Sequence, residues 1–92
     1  MDSDLHVHHR AGANGAFTID RGSDQLGALT YKREGTTLTL VDTAISKDVQ
    51  GQGVGAALVK YAINYAAEAD LTVAVVCPWA KEYLRRHPDL LP

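Results

Sequence analysis

The chain has 92 residues, 46% of them hydrophobic, which is material for one domain, residues 1–92, and too little for two independent cores. Nine basic residues stand against eleven acidic ones, so composition carries no electrostatic footprint for nucleic acid or an anionic membrane as partner. The single cysteine, Cys77, has no internal disulfide partner, and the start MDSDLHVHH lacks the positive charge and apolar run of a signal peptide. No apolar stretch approaches the ~18–20 residues of a membrane helix. The expectation is a soluble, cytoplasmic protein.

Strands are expected first along the chain. Leu5, Val7 and His9 alternate with polar residues, and AFTID (Ala16 to Asp20) follows the turn-forming loop RAGANG. QLGALTYKR and TTLTLVDTAI are rich in β-branched residues and flank EGT (Glu34 to Thr36), which predicts a hairpin. After Gly53 the period changes. Val54, Leu58, Tyr61, Ala62 and Tyr65 share one helical face, with Lys60, Asn64 and Glu68 as a polar stripe. LTVAVV (Leu71 to Val76) reads as a buried strand parallel to a neighbour, reached through the helical crossover. Pro78 opens a second helix, Trp79 to His87, which Pro88 ends. The predicted order is β-β-β-β-α-β-α, an α+β fold.

Between the fourth strand and the main helix lies DVQGQGVGAALV, with Gly51, Gly53 and Gly55 at alternate positions. Glycine costs roughly 0.5–1 kcal/mol relative to alanine inside an element, so three at one helix start need a reason. One reason is close packing at a tight turn. The other is an anion, because a helix start offers unpaired N–H groups and a partial positive charge, and small residues let a phosphate reach them.

Two phosphate-binding patterns fare badly. The nucleotide P-loop needs a Gly-Lys-Ser or Gly-Lys-Thr that the chain does not contain. The dinucleotide fingerprint G-x-G-x-x-A is met by Gly51, Gly53 and Ala56, with Asp70 as the ribose acid. Yet Asp70 precedes the next strand instead of ending it, and four strands in succession are not alternating βα units.

QGQGVG, Gln50 to Gly55, resembles the Q/R-x-x-G-x-G/A signature of the GCN5-related N-acetyltransferases, with Gln50, Gly53 and Gly55 at the marked positions. The likeness extends to the small, single-domain branch of that superfamily, with a strand–GxGxG–helix core, a CP dipeptide and a short helix ending in RHP. Here these are LTLVDTAISKDVQGQGVGAALV, VVCPWAKEYL and RRHPDLL, and the likeness runs from about Phe17 onward. It implies a fold with the fifth strand parallel to the fourth, acetyl-CoA or CoA as cofactor, and transfer of an acetyl group to an amine. It also implies that Gln50, Gly51, Gln52, Gly53, Val54, Gly55 and Ala56 hold the pyrophosphate. Fourth-strand backbone around Thr43, Ala44, Ile45 and Ser46 would pair with pantetheine and supply an oxyanion donor.

The chain departs from its relatives in two places. They commonly read HTEV where this chain has Asp42, Thr43, Ala44 and Ile45, so neither that histidine nor that glutamate is available as a base. Val75 stands where relatives often have proline two positions before the cysteine.

Acetyl transfer needs a neutral amine, oxyanion donors and a proton for the departing thiolate. Asp42, a carboxylate near a strand end, is a candidate base, although most aspartates are simply exposed. Cys77 precedes a helix N-terminus, a position that favours thiolates, and resemblance sets the CP cysteine near the acetyl end of CoA. Its ordinary alternative is a small buried hydrophobe. Tyr83 as an acid competes with core packing beside Leu84. Lys81, Arg85 and Arg86 as phosphate ligands compete with complementing the helix dipole, as does His87. His6, His8 and His9 lack a third ligand at metal-binding spacing, so no metal is assigned. The acceptor, whether protein lysine, polyamine or small amine, is not encoded in any motif. A non-catalytic CoA- or acyl-CoA-binding domain is the alternative reading.

Overall fold

The computed structural model describes residues 5–90. Strands β1 (Leu5–Arg10), β2 (Asn14–Arg21), β3 (Asp24–Glu34) and β4 (Thr37–Ile45) come first, followed by α1 (Val54–Glu68), β5 (Thr72–Val75) and α2 (Pro78–Arg86). Short 3-10 turns cover Lys47–Val49 and Pro88–Leu90. The five strands form one sheet in chain order, antiparallel from β1 to β4 and parallel between β4 and β5. This is the predicted order, with the crossover helix α1 joining the parallel pair.

The core lies between α1 and the sheet. Leu58, Val59 and Ala62 of α1 and Leu29, Leu38 and Leu40 of the sheet are each 0% exposed. Burial of one such leucine or valine side chain is worth about 1.5–3 kcal/mol. The polar stripe of Lys60, Asn64 and Glu68 faces solvent as expected. Tyr61, expected on the buried face, is instead 49% exposed. The buried face is turned toward Val59, Ile63 and Ala66, because the small Ala62 and Ala66 carry the helix's close approach to the sheet and the bulky ring is left at its rim.

The end of α1 explains Asp70. The Leu71 N–H bonds to the Ala66 carbonyl (2.8 Å) and the Asp70 N–H to that of Ala67 (3.4 Å), while Asp70 takes φ 57. This is a Schellman C-cap, a backbone role that needs no ribose.

Register holds the feature that shapes the site. Thr30 pairs with Asp42 and Tyr31 with Leu40, so Val41 is an extra residue in β4, a bulge. Plain alternation would put Asp42 and Ala44 on the face of Leu38 and Leu40. The bulge reverses the phase, and Thr43 and Ile45 join the α1 face, opposite Leu29 and Gly27.

β5 was expected to be buried throughout. It is an edge strand whose Val73, Ala74 and Val75 are half-buried, and Val76 beyond it is 60% exposed. An edge strand has a neighbour on one side only, so cover on the other is missing.

At the opposite end of α1 a ring cluster ties β1 to the rest. The imidazole of His9 stacks on Phe17 at 4.3 Å, meets Tyr65 edge-on at 4.5 Å, and shares a hydrogen bond with the Tyr31 hydroxyl. Arg33 donates to the Tyr65 hydroxyl at 2.7 Å. Burial pushes the His9 imidazole below its ordinary value and the Tyr31 phenol above its own. His8 faces elsewhere, 3.3 Å from Asp20.

Candidate functional site

Where the strands part, β4 offers an unoccupied edge. Pairing with β5 ends at Leu40–Val75, but β4 continues to Ile45. The Ser46 N–H bonds to the Leu26 carbonyl at 2.8 Å, so Ser46 points its backbone toward β3. Strand groups alternate, so the N–H and C=O of Thr43 and Ile45 point the other way, toward the edge that β5 has left. The Gln50 amide takes one of these groups, donating to the Ile45 carbonyl at 3.4 Å. Gln50 thereby ties the glycine loop to the end of β4.

The loop then turns twice through left-handed backbone, Gly51 at φ 83 and Gly53 at φ 85. A non-glycine residue at such angles costs roughly 1–2 kcal/mol. A Cβ on Gly53 would meet nothing within 4 Å, so the space above it is open. Gly53 is the N-cap of α1, with no side-chain cap and no acidic residue in the first turn. The Ala57 N–H reaches the Gly53 carbonyl at 3.0 Å, which leaves Val54, Gly55 and Ala56 as N–H groups without an intrahelical acceptor. The arrangement can bind an anion.

Gly55 has a different reason. A Cβ there would lie 2.7 Å from Cη2 of Trp79, so the side-chain position of Gly55 is filled by α2, while its backbone still borders the same space as Gly53.

These elements enclose a cleft of about 460 Å³ lined by Thr43, Ile45, Val49, Gln50, Gly51, Gly53, Val54, Gly55, Ala56 and Trp79. Eight of the eleven expected cofactor residues therefore line one space, while Ser46 borders a neighbouring polar recess. Ala44 is turned to the opposite face by the bulge, paired with Ala28. The Gln52 amide donates to the Asp48 carbonyl at 3.4 Å and borders a neighbouring polar recess. Sequence reasoning missed Val49 and Trp79 as lining residues. The signal for Trp79 was its place one residue into a helix that starts beside the strand gap.

No lining side chain is an acid, a histidine, a lysine, an arginine, a tyrosine or a cysteine. Cys77 stands just behind the wall, 2% exposed, its thiol donating to the Thr43 hydroxyl at 3.4 Å. Asp42 is exposed and on the far face, opposite Thr30. Tyr83 is sandwiched between Trp79 (5.4 Å) and His87 (4.4 Å) in a ring stack along α2. Arg85 and Arg86 both bind Glu82, at 2.6 and 3.2 Å, and the Arg85 hydrogen bond holds that carboxylate below its ordinary range. Among the described residues, no three histidine, cysteine or acidic side chains converge as a metal site, and no helix is long and apolar enough to cross a membrane.

A family model described as GCN5-related N-acetyl-transferase matches residues 16–91. The chain belongs to this family. As a GCN5-related N-acetyltransferase it is an enzyme of acetyl transfer, and solved structures carry the same fold. A GCN5-like protein of Staphylococcus aureus, solved by NMR, is 26% identical with a TM-score of 0.74, over 97% of this chain and 86% of that one. A ribosomal-protein-alanine N-acetyltransferase from Brucella melitensis biovar Abortus 2308 is 13% identical, TM-score 0.70, over 80% of this chain and 62% of its own. An acetyltransferase of Bacillus subtilis in complex with CoA is 17% identical, TM-score 0.61, over 71% and 59%. The chain thus spans about six-tenths of the latter two, and at those identities the likeness is one of fold. No curated protein sequence matches the chain.

Proposed function

We propose that this N-acetyltransferase uses acetyl-CoA to acetylate an amine acceptor, a protein lysine, a polyamine or a small amine. The observation that carries the reading is the meeting of two backbone features in one cleft: the uncapped, glycine-lined start of α1 and the open edge of β4. The first suits a pyrophosphate. The second suits an extended arm with amide groups, which pairs with Thr43 and Ile45 as a strand would.

The bound thioester supplies an activated acetyl group. The chain itself contributes the N–H groups of Thr43 and Ile45, which face the open edge of β4, as donors for developing oxyanion charge. The Thr43 hydroxyl, accepting from Cys77, keeps its own proton free to donate toward the cleft. Cys77 acts behind it in an auxiliary, non-covalent way, since direct attack by the amine needs no acyl-enzyme. Asp42, the candidate base near this end of β4, lies exposed outside the cleft on the opposite face, so the amine attacks in its neutral form and its proton reaches Asp42 only through solvent. Gln50 orients the loop, and Trp79 closes one wall.

The lack of any titratable lining group, together with the loss of the family histidine and glutamate, favours a second reading as a non-catalytic CoA- or acyl-CoA-binding domain. Free-thiol release from acetyl-CoA across a panel of amines, corrected for hydrolysis, separates the two. Acceptor-dependent release supports transfer. CoA binding with no release above hydrolysis for any amine leaves only the binding domain.

A further inference from the structure

Of the backbone groups on the open edge of β4, the Ile45 carbonyl already has a partner. The Gln50 carboxamide donates to it at 3.4 Å, from a side chain that is exposed and lines the cleft. Ile45 faces that edge because its neighbour Ser46 turns the other way, to the Leu26 carbonyl at 2.8 Å. Gln50 therefore lies across the edge where the strand ends and the glycine loop begins, between the two backbone features of the cleft.

The two partners differ in freedom. Ile45 is fixed by its pairing with Gly27 of β3, while Gln50 reaches it through a long, rotatable side chain. At 3.4 Å the bond is longer than the common value of about 2.9–3.0 Å, and it is open to water, so it is weak. The loop does not depend on this tie alone. The Val49 N–H bonds to the Ser46 carbonyl at 3.1 Å and the Gln52 N–H to the Val49 carbonyl at 3.2 Å. Val49 itself is 4% exposed and anchors the turn in the core. Gln50 can swing away with the glycine cradle intact.

We infer that Gln50 is a latch: its carboxamide masks the Ile45 carbonyl in the free protein and must leave it before a pantetheine arm can pair along β4. This rests on the acetyl-CoA reading given above. Covering that carbonyl while leaving it without a donor is costly, so an arm lying on β4 must replace the Gln50 N–H with an amide N–H of its own. One donor is exchanged for another, and the released carboxamide returns to water. The latch weakens binding of any ligand with such an arm by the net worth of one exposed hydrogen bond. A ligand that brings a pyrophosphate alone reaches the cradle without disturbing it.

The test is calorimetric titration of CoA into wild type and Gln50→Ala, with amide NMR of the wild type titrated with CoA and, separately, with ADP, which has the pyrophosphate but no arm. The inference expects CoA to bind about two- to tenfold tighter to Gln50→Ala, with the melting temperature unchanged. The Gln50 side-chain amide signals should shift with CoA and stay in place at ADP concentrations that shift the N–H signals of Val54 to Ala56. Equal or weaker CoA binding by folded Gln50→Ala, or Gln50 signals that follow ADP as they follow CoA, overturns the latch and leaves the cofactor reading standing. Absence of saturable CoA binding in both proteins contradicts the cofactor reading and the latch with it.

Discussion

Gly55 of α1 and the indole of Trp79 in α2 occupy complementary space: a Cβ on the glycine would stand 2.7 Å from Cη2 and 3.0 Å from Cζ2 of the ring. Two opposing effects act on Gly55→Ala. Alanine gains up to about 1 kcal/mol of helix propensity, while overpacking against the ring costs about 1–3 kcal/mol. Overpacking wins in the wild-type background, so Gly55→Ala destabilises. In a Trp79→Ala background the clash is gone, and the same substitution stabilises by about 1 kcal/mol. Urea denaturation of the four proteins in a double-mutant cycle checks the change of sign.

His9 gives the fold a pH dependence. Its imidazole lies below the ordinary 6.5 in the folded state because burial against Phe17 and Tyr65 disfavours the charge. As pH falls, the unfolded chain therefore takes up this proton first. Stability from His9 is complete above about pH 6.5, is lost as the pH drops through that value toward the lowered folded pKa, and then levels off. Melting temperatures between about pH 7 and pH 5 should fall more steeply in the wild type than in His9→Gln, which keeps a partner for the Tyr31 hydroxyl but cannot titrate. Parallel slopes would remove His9 from the account.

Cys77 and Thr43 are expected to act together. Loss of the buried thiol in Cys77→Ala costs on the order of 1 kcal/mol in packing and also removes the donor to the Thr43 hydroxyl. Turnover should fall in Cys77→Ala and recover in part in Cys77→Ser, which restores a donor. Intact-mass analysis after incubation with acetyl-CoA should find no acetyl adduct. A stable, kinetically competent adduct would make the cysteine a covalent carrier, and full activity in Cys77→Ala would make it core alone.

How much of this was legible in the sequence follows from the range of the interactions involved. The element order and the loop were readable because strand alternation, helical period and glycine spacing are local signals. The bulge at Val41 was not, since nothing in TTLTLVDTAI marks which residue goes unpaired; that depends on β3. It decides that Thr43 and Ile45 line the cleft while Ala44 and Asp42 do not. The contact of Gly55 with Trp79 joins positions 24 apart, so two glycines of one motif looked equivalent when one serves the open cradle and the other serves packing. His9 is exposed, as terminal histidines usually are, but its ring contacts were not legible because the partners come from three other elements.

The central claim is that backbone at the start of α1 holds the pyrophosphate of CoA, and calorimetric titration of CoA into wild type and Gly53→Val tests it most directly. The valine at φ 85 strains the turn by roughly 1–2 kcal/mol, while its side chain fills the open space above the free N–H groups. Saturable CoA binding in the wild type and its loss in a variant that retains the folded circular dichroism spectrum is the predicted result. Undiminished CoA affinity in folded Gly53→Val would contradict the account.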